Sequence, residues 1–248
     1  MAGSYRILLL AGTVEARELN RILFAIPEVQ LITALAGRTR DIAKLSGEML
    51  RQGFDDVGGL EALLQSAKID CIIDATHPYA ATISQKAANL CKALDVQYLR
   101  YDRPPWMPEA EDIWIAVADM NGAAAKCRNF QRIFLTIGRQ ELALFEGLTA
   151  KELLIRSVEE MTFNPASSSF THIQARGPFN LQGEIDLMNA HKIDAVVSKN
   201  SGGEATFAKI EAARTLSLPV IMVARPDMSL PNRYADINLL VRQVMSFV

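Results

Sequence analysis

This chain of 248 residues has few cysteines, no large excess of either charge and no long apolar run. Its three cysteines, Cys71, Cys91 and Cys127, have no metal-ligand spacing, and an odd number suits a reducing compartment. The formal net charge of −2 gives no basis for binding nucleic acid or an acidic membrane surface. The apolar run at 7–10 is too short to span a bilayer and does not resemble a leader peptide. We therefore expect a soluble, cytoplasmic protein without a metal site; a monomer is compatible with the sequence, which does not fix the oligomeric state.

What is present is a regular alternation of short apolar runs and helical patterns, in a chain that is half hydrophobic. Continuous apolar strands separated by helices predict parallel sheets covered on both faces, an α/β fold. The predicted strands are 7–10, 29–36, 71–73, 96–99, 133–137, 153–158, 172–175, 195–197 and 220–223. The predicted helices are 14–25, 80–94, 181–191, 204–216 and 234–247. The stretch 41–68 predicts one or two helices and a short strand near 49–50.

A proline-rich stretch at 103–108 interrupts this alternation, because proline inside a helix removes an amide donor and clashes with the preceding turn. The alternation then restarts. We expect two Rossmann-like lobes, with residues 1–103 as the NADP-binding domain and 104–248 as the substrate-side domain. A cleft between such lobes is the default place for a ligand.

The first strand-to-helix turn contains Gly12 and Thr13, where a dinucleotide diphosphate sits in doubly wound sheets. Gly12 permits a tight turn, and Thr13 offers a hydroxyl. The complete G-x-G-x-x-G fingerprint is missing, however, so a plain turn remains an equal alternative. Glu15 suits the start of a helix but brings negative charge close to a diphosphate.

The sequence Gly37-Arg38-Thr39-Arg40 follows the second strand. An acidic residue at this place holds the ribose hydroxyl of NAD, whereas arginine accommodates the 2′-phosphate of NADP. Two guanidinium groups and a hydroxyl therefore favour NADPH over NADH, and they argue against S-adenosylmethionine. The alternative is a solvated basic turn.

A histidine motif, Asp74-Ala75-Thr76-His77-Pro78-Tyr79-Ala80, closes a strand and opens a helix. Ligands gather at the carboxyl ends of parallel strands, so we expect Thr76 and Pro78 to contact the cofactor and Tyr79 to form a wall of the substrate pocket. His77 is the candidate catalytic proton donor. The alternative is that His77 only caps the helix or bonds the backbone.

Three predicted strand ends in the second half carry a cation each, namely Arg139, Arg176 and Lys199. Together with Ser201 and Gly202 they are the candidate substrate-binding residues, suited to a ligand with several carboxylates. Each cation taken singly reads as a surface charge, so the prediction depends on their similar placement. His172 and His191 have no partner pattern and are interpreted as structural.

Taken in order, these motifs resemble the precorrin-6A reductase family of cobalamin biosynthesis over nearly the whole chain. The resemblance is carried by 12–16, Gly37-Arg38, 74–80, 103–106, 177–179 and 199–203. It implies an oxidoreductase that transfers a hydride from NADPH to one carbon–carbon double bond of a tetrapyrrole, precorrin-6A or its cobalt form, to give the 6B dihydro compound. Tyr79 stands where many members have phenylalanine. Such a substrate carries many acetate and propionate groups, which the three cationic loops would meet.

Three other functions are alternatives to the reduction of precorrin-6A. A carbonyl reductase of the short-chain type would need a Tyr-x-x-x-Lys pair, and the sequence has none. An NADP-sensing module without catalysis would not need several cation-bearing loops. A methyltransferase is disfavoured by the basic residues at 37–40.

Overall fold

A computed structural model of the protein describes residues 4–35, 45–50, 54, 58–166 and 168–248. Its strands are β1 (Tyr5–Ala11), β2 (Val29–Leu35), β3 (Glu48–Leu50), β4 (Cys71–Asp74), β5 (Gln97–Tyr101), β6 (Trp114–Val117), β7 (Arg132–Thr136), β8 (Glu152–Ser157), β9 (Ser169–Gln174), β10 (Ala195–Lys199), β11 (Val220–Val223) and β12 (Arg233–Tyr234). Its helices are α1 (Val14–Phe24), α2 (Gly59–Ser66), α3 (Ala81–Leu94), α4 (Met120–Cys127), α5 (Leu181–Ala190), α6 (Ala208–Thr215) and α7 (Ile237–Met245), with a 3₁₀ helix at Arg139–Phe145. The α/β class and the two parallel sheets agree with the sequence-based expectation.

The chain divides into two compact units. Unit 1 consists of Met1–Pro104 and Asp227–Val248, and unit 2 of Pro105–Pro226. The predicted second domain, 104–248, includes the C-terminal segment, which the structure places with unit 1 instead. The reason is that β12 pairs in parallel with β5, so the end of the chain completes the first sheet.

Each unit contains one six-stranded sheet, and every pair of neighbouring strands is parallel. The order in unit 1 is β12-β5-β4-β1-β2-β3, and in unit 2 it is β6-β11-β10-β7-β8-β9. Both orders reverse direction beside one interior strand, β1 in unit 1 and β7 in unit 2. This reversal is the topological switch point at which doubly wound sheets bind ligands.

The apolar faces explain why the unit 1 sheet is covered on both sides. Alternate residues of a strand point to opposite faces, and the strand β1 is buried on both. Leu8 and Leu10 pack in a cluster with residues of α2 and α3, whereas Ile7 and Leu9 pack with residues of α1 and α7. In unit 2, residues of α5 and α6 pack against Phe134 and its neighbours on one face.

Several elements differ from the predicted ones. The strand β6, the helix α4 and the 3₁₀ helix were not predicted, and Tyr234 lies in β12 instead of the closing helix. That helix begins only after Asp236, whose carboxylate caps it by accepting from the amides of Asn238 and Leu239. Within the described part of the chain, no helix has both the length and the apolar character needed to cross a membrane.

Candidate functional site

The predicted site residues lie at the carboxyl edges of the two sheets. In unit 1, Leu10 of β1 is in register with Asp74 of β4, so the glycine turn and the histidine motif leave adjacent strands side by side. In unit 2, Arg139 and Arg176 follow β7 and β9, and Lys199 is the last residue of β10, in one parallel sheet. The four residues predicted to bind the 2′-phosphate, Gly37, Arg38, Thr39 and Arg40, lie outside the described residues.

Thr13 connects the glycine turn to the histidine motif. Its hydroxyl accepts from the Ala16 amide at 3.1 Å, which makes Thr13 the N-cap of α1, and donates to the carbonyl of Ala75 at 3.0 Å. The one hydroxyl proton is therefore used inside the protein. Gly12, by contrast, is exposed at the start of the helix, where amides of the first turn have no intrahelical partner.

Glu15, in the first turn of α1, is paired with Arg103. Nη1 of Arg103 donates to both carboxylate oxygens of Glu15, at 2.8 and 2.9 Å. The two side chains are only 14% and 18% exposed, so the pair is partly shielded from solvent. The negative charge of Glu15, which lies close to the predicted diphosphate position, is thus balanced by Arg103 of the proline-rich stretch.

Asp74 ends β4 and is fully buried. One carboxylate oxygen accepts from the amide and hydroxyl of Thr76, at 3.0 and 2.7 Å. The other accepts from the Tyr98 hydroxyl at 2.7 Å and from Arg100 Nη1 at 2.6 Å. Burial and the nearby Asp74 charge raise the pKa of Tyr98, which keeps its hydroxyl protonated as a donor. Thr76 is itself 2% exposed, so its side chain is turned into the protein and supports the loop.

His77 is half-buried in the loop between β4 and α3. Its Nδ1 accepts from the Tyr79 amide at 3.3 Å, and the two rings lie 5.6 Å apart. An accepting Nδ1 places the proton of the neutral imidazole on Nε2. Pro78 is buried in a turn closed by a 2.8 Å bond from the Ala80 amide to the His77 carbonyl. The helix begins only at Ala81, so Pro78 lies in the turn before it.

In unit 2, the predicted cations Lys199 and Arg139 are paired with carboxylates. Lys199 Nζ donates to Glu141 at 2.6 Å, and Arg139 lies 3.1 Å from Glu159. The first pair is 15% and 28% exposed, and the second is 43% and 34% exposed. Each cation is therefore held in place at the sheet edge by an acid, which a substrate carboxylate would have to replace or share.

The loop after Lys199 has an unusual backbone. Gly202 and Gly203 both have positive φ, 67° and 77°, a conformation that side chains with a Cβ disfavour. Arg225 fixes the start of this loop by donating to the carbonyls of Asn200 and Ser201, at 2.8 and 3.0 Å. Ser201 is buried, at 6% exposure.

Trp106 docks on the same loop. The Asn200 amide group exchanges two hydrogen bonds with the Trp106 backbone, at 2.8 and 3.0 Å, and the indole donates to the Gly203 carbonyl at 3.0 Å. Lys209 is buried beneath this ring, with Nζ 4.9 Å from its centroid. The tryptophan of the proline-rich motif therefore acts as a structural anchor for the lysine loop.

The loop that carries Arg176 is joined to the lysine loop through Ala205. A Cβ on Gly177 would lie 2.7 Å from the Ala205 carbonyl oxygen, and that oxygen also accepts from the Phe179 amide at 3.1 Å. Only glycine fits at 177 without a shift of the backbone. Arg156 stacks on the Phe179 ring at 3.7 Å. These contacts bring the neighbourhoods of Arg176 and Ser201 together.

Sequence reasoning missed the residues that support the site. They are Tyr98, Arg100, Glu141, Arg156, Glu184 and Arg225. Arg156 forms a bidentate pair with Glu184 and is buried between Phe134 and Phe179. Arginine in the middle of an apolar strand is rarely left unpaired, and this was the available signal.

The remaining histidines and the cysteines take structural positions. His172 Nε2 lies 2.8 Å from Ser157 Oγ, and His191 Nδ1 donates to Glu152 at 3.0 Å. Burial raises the pKa of the Cys91 and Cys127 thiols to about 12, which keeps both protonated. Among the described residues, no group of three or more His, Cys, Asp or Glu side chains is arranged to hold a metal ion.

Comparison with known proteins identifies the family of this chain. A family model described as precorrin-6x reductase CbiJ/CobK matches residues 6–245. The chain is 41% identical over 226 residues to a precorrin-6A reductase of Rhodococcus erythropolis, covering 90% of each protein. It is 39% identical to that of Mycobacterium tuberculosis, covering 97% of this chain and 96% of the relative. A solved structure of CobK precorrin-6A reductase matches with a TM-score of 0.88 and 33% identity, covering 98% of this chain and 96% of the other.

Proposed function

The chain belongs to the precorrin-6x reductase CbiJ/CobK family and is an oxidoreductase, and we propose that it reduces precorrin-6A, or its cobalt form, with NADPH. The product is the 6B dihydro compound of cobalamin biosynthesis. In this reaction one carbon–carbon double bond of the tetrapyrrole gains a hydride and a proton. The observation that carries the proposal is a family match that spans both units, 6–245, and includes every candidate site residue.

The residues of unit 1 fit a nicotinamide dinucleotide. Gly12 is exposed at the start of α1, beside the point where the strand order reverses, and the Glu15 charge is balanced by Arg103. NADPH would supply the hydride. Gly12 and Thr13 would hold the diphosphate through backbone amides, with Thr76 and Pro78 shaping the adjacent loop, and Gly37, Arg38, Thr39 and Arg40 would bind the 2′-phosphate. Unit 1 is thus proposed as the cofactor domain.

His77 is the proposed proton donor. The Tyr79 amide occupies its Nδ1, so Nε2 carries the proton of the neutral ring. As an acid, His77 would act in the imidazolium form, which carries a proton on both nitrogens and returns to the neutral ring when it delivers one. The neighbouring Tyr79 ring would form a wall of the substrate pocket.

The three loops of unit 2 are the proposed substrate-binding surface. Arg139, Arg176 and Lys199 are placed to meet acetate and propionate groups, and Ser201 and Gly202 to offer backbone contacts. Charge-assisted bonds to carboxylates are the strong ones, and a multiply charged macrocycle requires several of them. Lys199 is paired with Glu141, so a substrate carboxylate would replace or share this acid when it binds.

Two measurements test the cofactor and the acid separately. Titration with NADPH and NADH, followed by nicotinamide fluorescence, should show a strong NADPH preference that collapses in Arg38→Glu. Turnover of precorrin-6A with saturating NADPH should fall about a hundred-fold in His77→Ala. Equal affinity for the two nucleotides would contradict the NADPH assignment, and normal turnover in His77→Ala would eliminate the acid role.

A further inference from the structure

A closed circuit of hydrogen bonds lies beneath the loop that carries His77. Arg100 Nη1 donates to Ser84 Oγ at 2.8 Å and to Asp74 Oδ2 at 2.6 Å. Thr76 Oγ1 lies 3.2 Å from Ser84 Oγ and donates to Asp74 Oδ1 at 2.7 Å. Thr76 gives its one hydroxyl proton to Asp74, so Ser84 must donate to Thr76. The hydrogen bonds therefore run from Arg100 to Asp74 both directly and through Ser84 and Thr76.

This circuit is costly for a structural element. Arg100 and Asp74 are both 0% exposed, and burying an ion pair removes two charges from water. Nε and Nη2 of Arg100 are buried and have no hydrogen-bond partner among the residues that the structure describes. Well-packed apolar side chains would often stabilise such a position equally well. The circuit is therefore better explained by what it holds in place than by stability.

We propose that Tyr98 and Arg100 are positioning residues that act through Asp74 to fix the orientation of His77. The proposal rests on the proposed role of His77 as the proton donor. Tyr98 and Arg100 approach one oxygen of Asp74 from β5, and this leaves the other oxygen to hold both the amide and the hydroxyl of Thr76. Thr76 directly precedes His77 in the chain, so the backbone conformation of Thr76 sets the position of His77.

Two further anchors leave the loop little freedom. The Ala75 carbonyl is held by Thr13, and the His77 carbonyl accepts from the Ala80 amide at 2.8 Å. Between these points, the Tyr79 amide reaches His77 Nδ1. That bond is 3.3 Å long, and a small rotation of the loop would break it and release the choice of tautomer. By holding Thr76, Asp74 thus fixes the loop in the position that allows this bond, and the tautomer of His77 depends on it.

The chain contains only three histidines, which makes a direct test practical. Long-range ¹H–¹⁵N spectra of the imidazole rings report the tautomer of each, and His172 and His191, both in unit 2, serve as internal controls. In Tyr98→Phe, which keeps the buried ring and removes the hydroxyl, the His77 nitrogens should shift toward a mixture of tautomers. The signals of His172 and His191 should stay in place. Tyr101→Phe, on the same strand, is the matched control and should leave all three unchanged.

Turnover completes the test. In Tyr98→Phe we expect kcat to fall about ten-fold while the Kd for NADPH changes less than about two-fold. Arg100→Lys, which keeps a cation opposite Asp74, should retain more activity than Arg100→Met.

A merely structural role would lower the melting temperature and leave the His77 spectrum unchanged. The proposal is overturned if Tyr98→Phe leaves both the His77 signals and kcat at wild-type values. If the His77 signals shift in Tyr98→Phe but His77→Ala retains full turnover, positioning stands and the proposed acid role fails. The two failures are therefore distinguishable.

Discussion

Arg103 donates to both carboxylate oxygens of Glu15, at 2.8 and 2.9 Å, in the first turn of α1. A carboxylate stabilises a free helix N-terminus but repels an anion bound there. Arg103, from the proline-rich stretch at 103–108, removes that conflict. The two motifs, far apart in sequence, thus form one electrostatic unit beside the glycine turn.

Arg103→Gln should weaken NADPH binding roughly two- to ten-fold, because it leaves the Glu15 charge uncompensated near the diphosphate. Glu15→Gln alone should bind NADPH at least as tightly as the wild type. The double variant should recover most of the loss, as measured by fluorescence titration. Arg21→Gln, an exposed change of equal charge at the other end of α1, is the control. A loss of the same size in the Glu15→Gln background would mean that Arg103 touches the cofactor itself.

Asp74→Ala should lower the free energy of unfolding by about 3–5 kcal/mol, since it leaves the buried Arg100 charge without a partner. Denaturant unfolding measures the change. Arg139→Ala breaks an exposed ion pair with Glu159 and should cost less than about 1 kcal/mol. Similar losses in the two variants would show that the Asp74–Arg100 pair is not desolvated.

Glu141→Gln should lower the KM for the tetrapyrrole, because it releases the Lys199 ammonium group from its 2.6 Å ion pair. Lys199→Gln should raise that KM roughly ten-fold or more, the value of one charge-assisted bond. Steady-state kinetics at saturating NADPH separate these effects from cofactor binding. If Glu141→Gln raised KM as much as Lys199→Gln, the acid would be needed to position the lysine.

The pH dependence of stability has a local test at Glu152. A hydrogen bond from His191, followed by the Arg132 charge, lowers the pKa of this carboxyl. A depressed folded-state pKa means that the stabilisation is present above the unfolded value, about 4.3, and is lost as pH falls through the folded value. The melting-temperature difference between wild type and Glu152→Gln should therefore shrink on acidification. Exposed Glu160→Gln should show little difference at any pH, and a constant gap for Glu152→Gln would contradict the account.

The sequence predicted the sheets well because both faces of a parallel strand are buried and its residues form continuous apolar runs. The run 71–73 and the strand β4 illustrate this agreement. The strand β6 was missed because its four residues are only partly buried or exposed. The return of β12 to unit 1 depends on pairing with β5 more than a hundred residues earlier, and no local pattern contains that information.

The described candidate residues lie at the sheet edges where the sequence places them, but their hydrogen bonding was not predicted. Thr76 was expected to face a ligand, whereas Asp74, two residues earlier, draws its hydroxyl inward, as aspartate commonly does with backbone and side chains two residues on. Because alternate residues of a strand point to the same face, Tyr98 and Arg100 share a face of β5. Arg100 is also in register with Asp74. That alternation was visible in the sequence; the register was not.

The measurement that tests the central claim most directly is a single turnover with precorrin-6A and NADPH carrying deuterium at the transferred position of the nicotinamide. The account predicts one deuterium in the 6B product, bound to carbon, at a rate that depends on His77 and falls steeply when NADH replaces NADPH. A product without deuterium, or no reduction by protein that binds NADPH tightly, would contradict it.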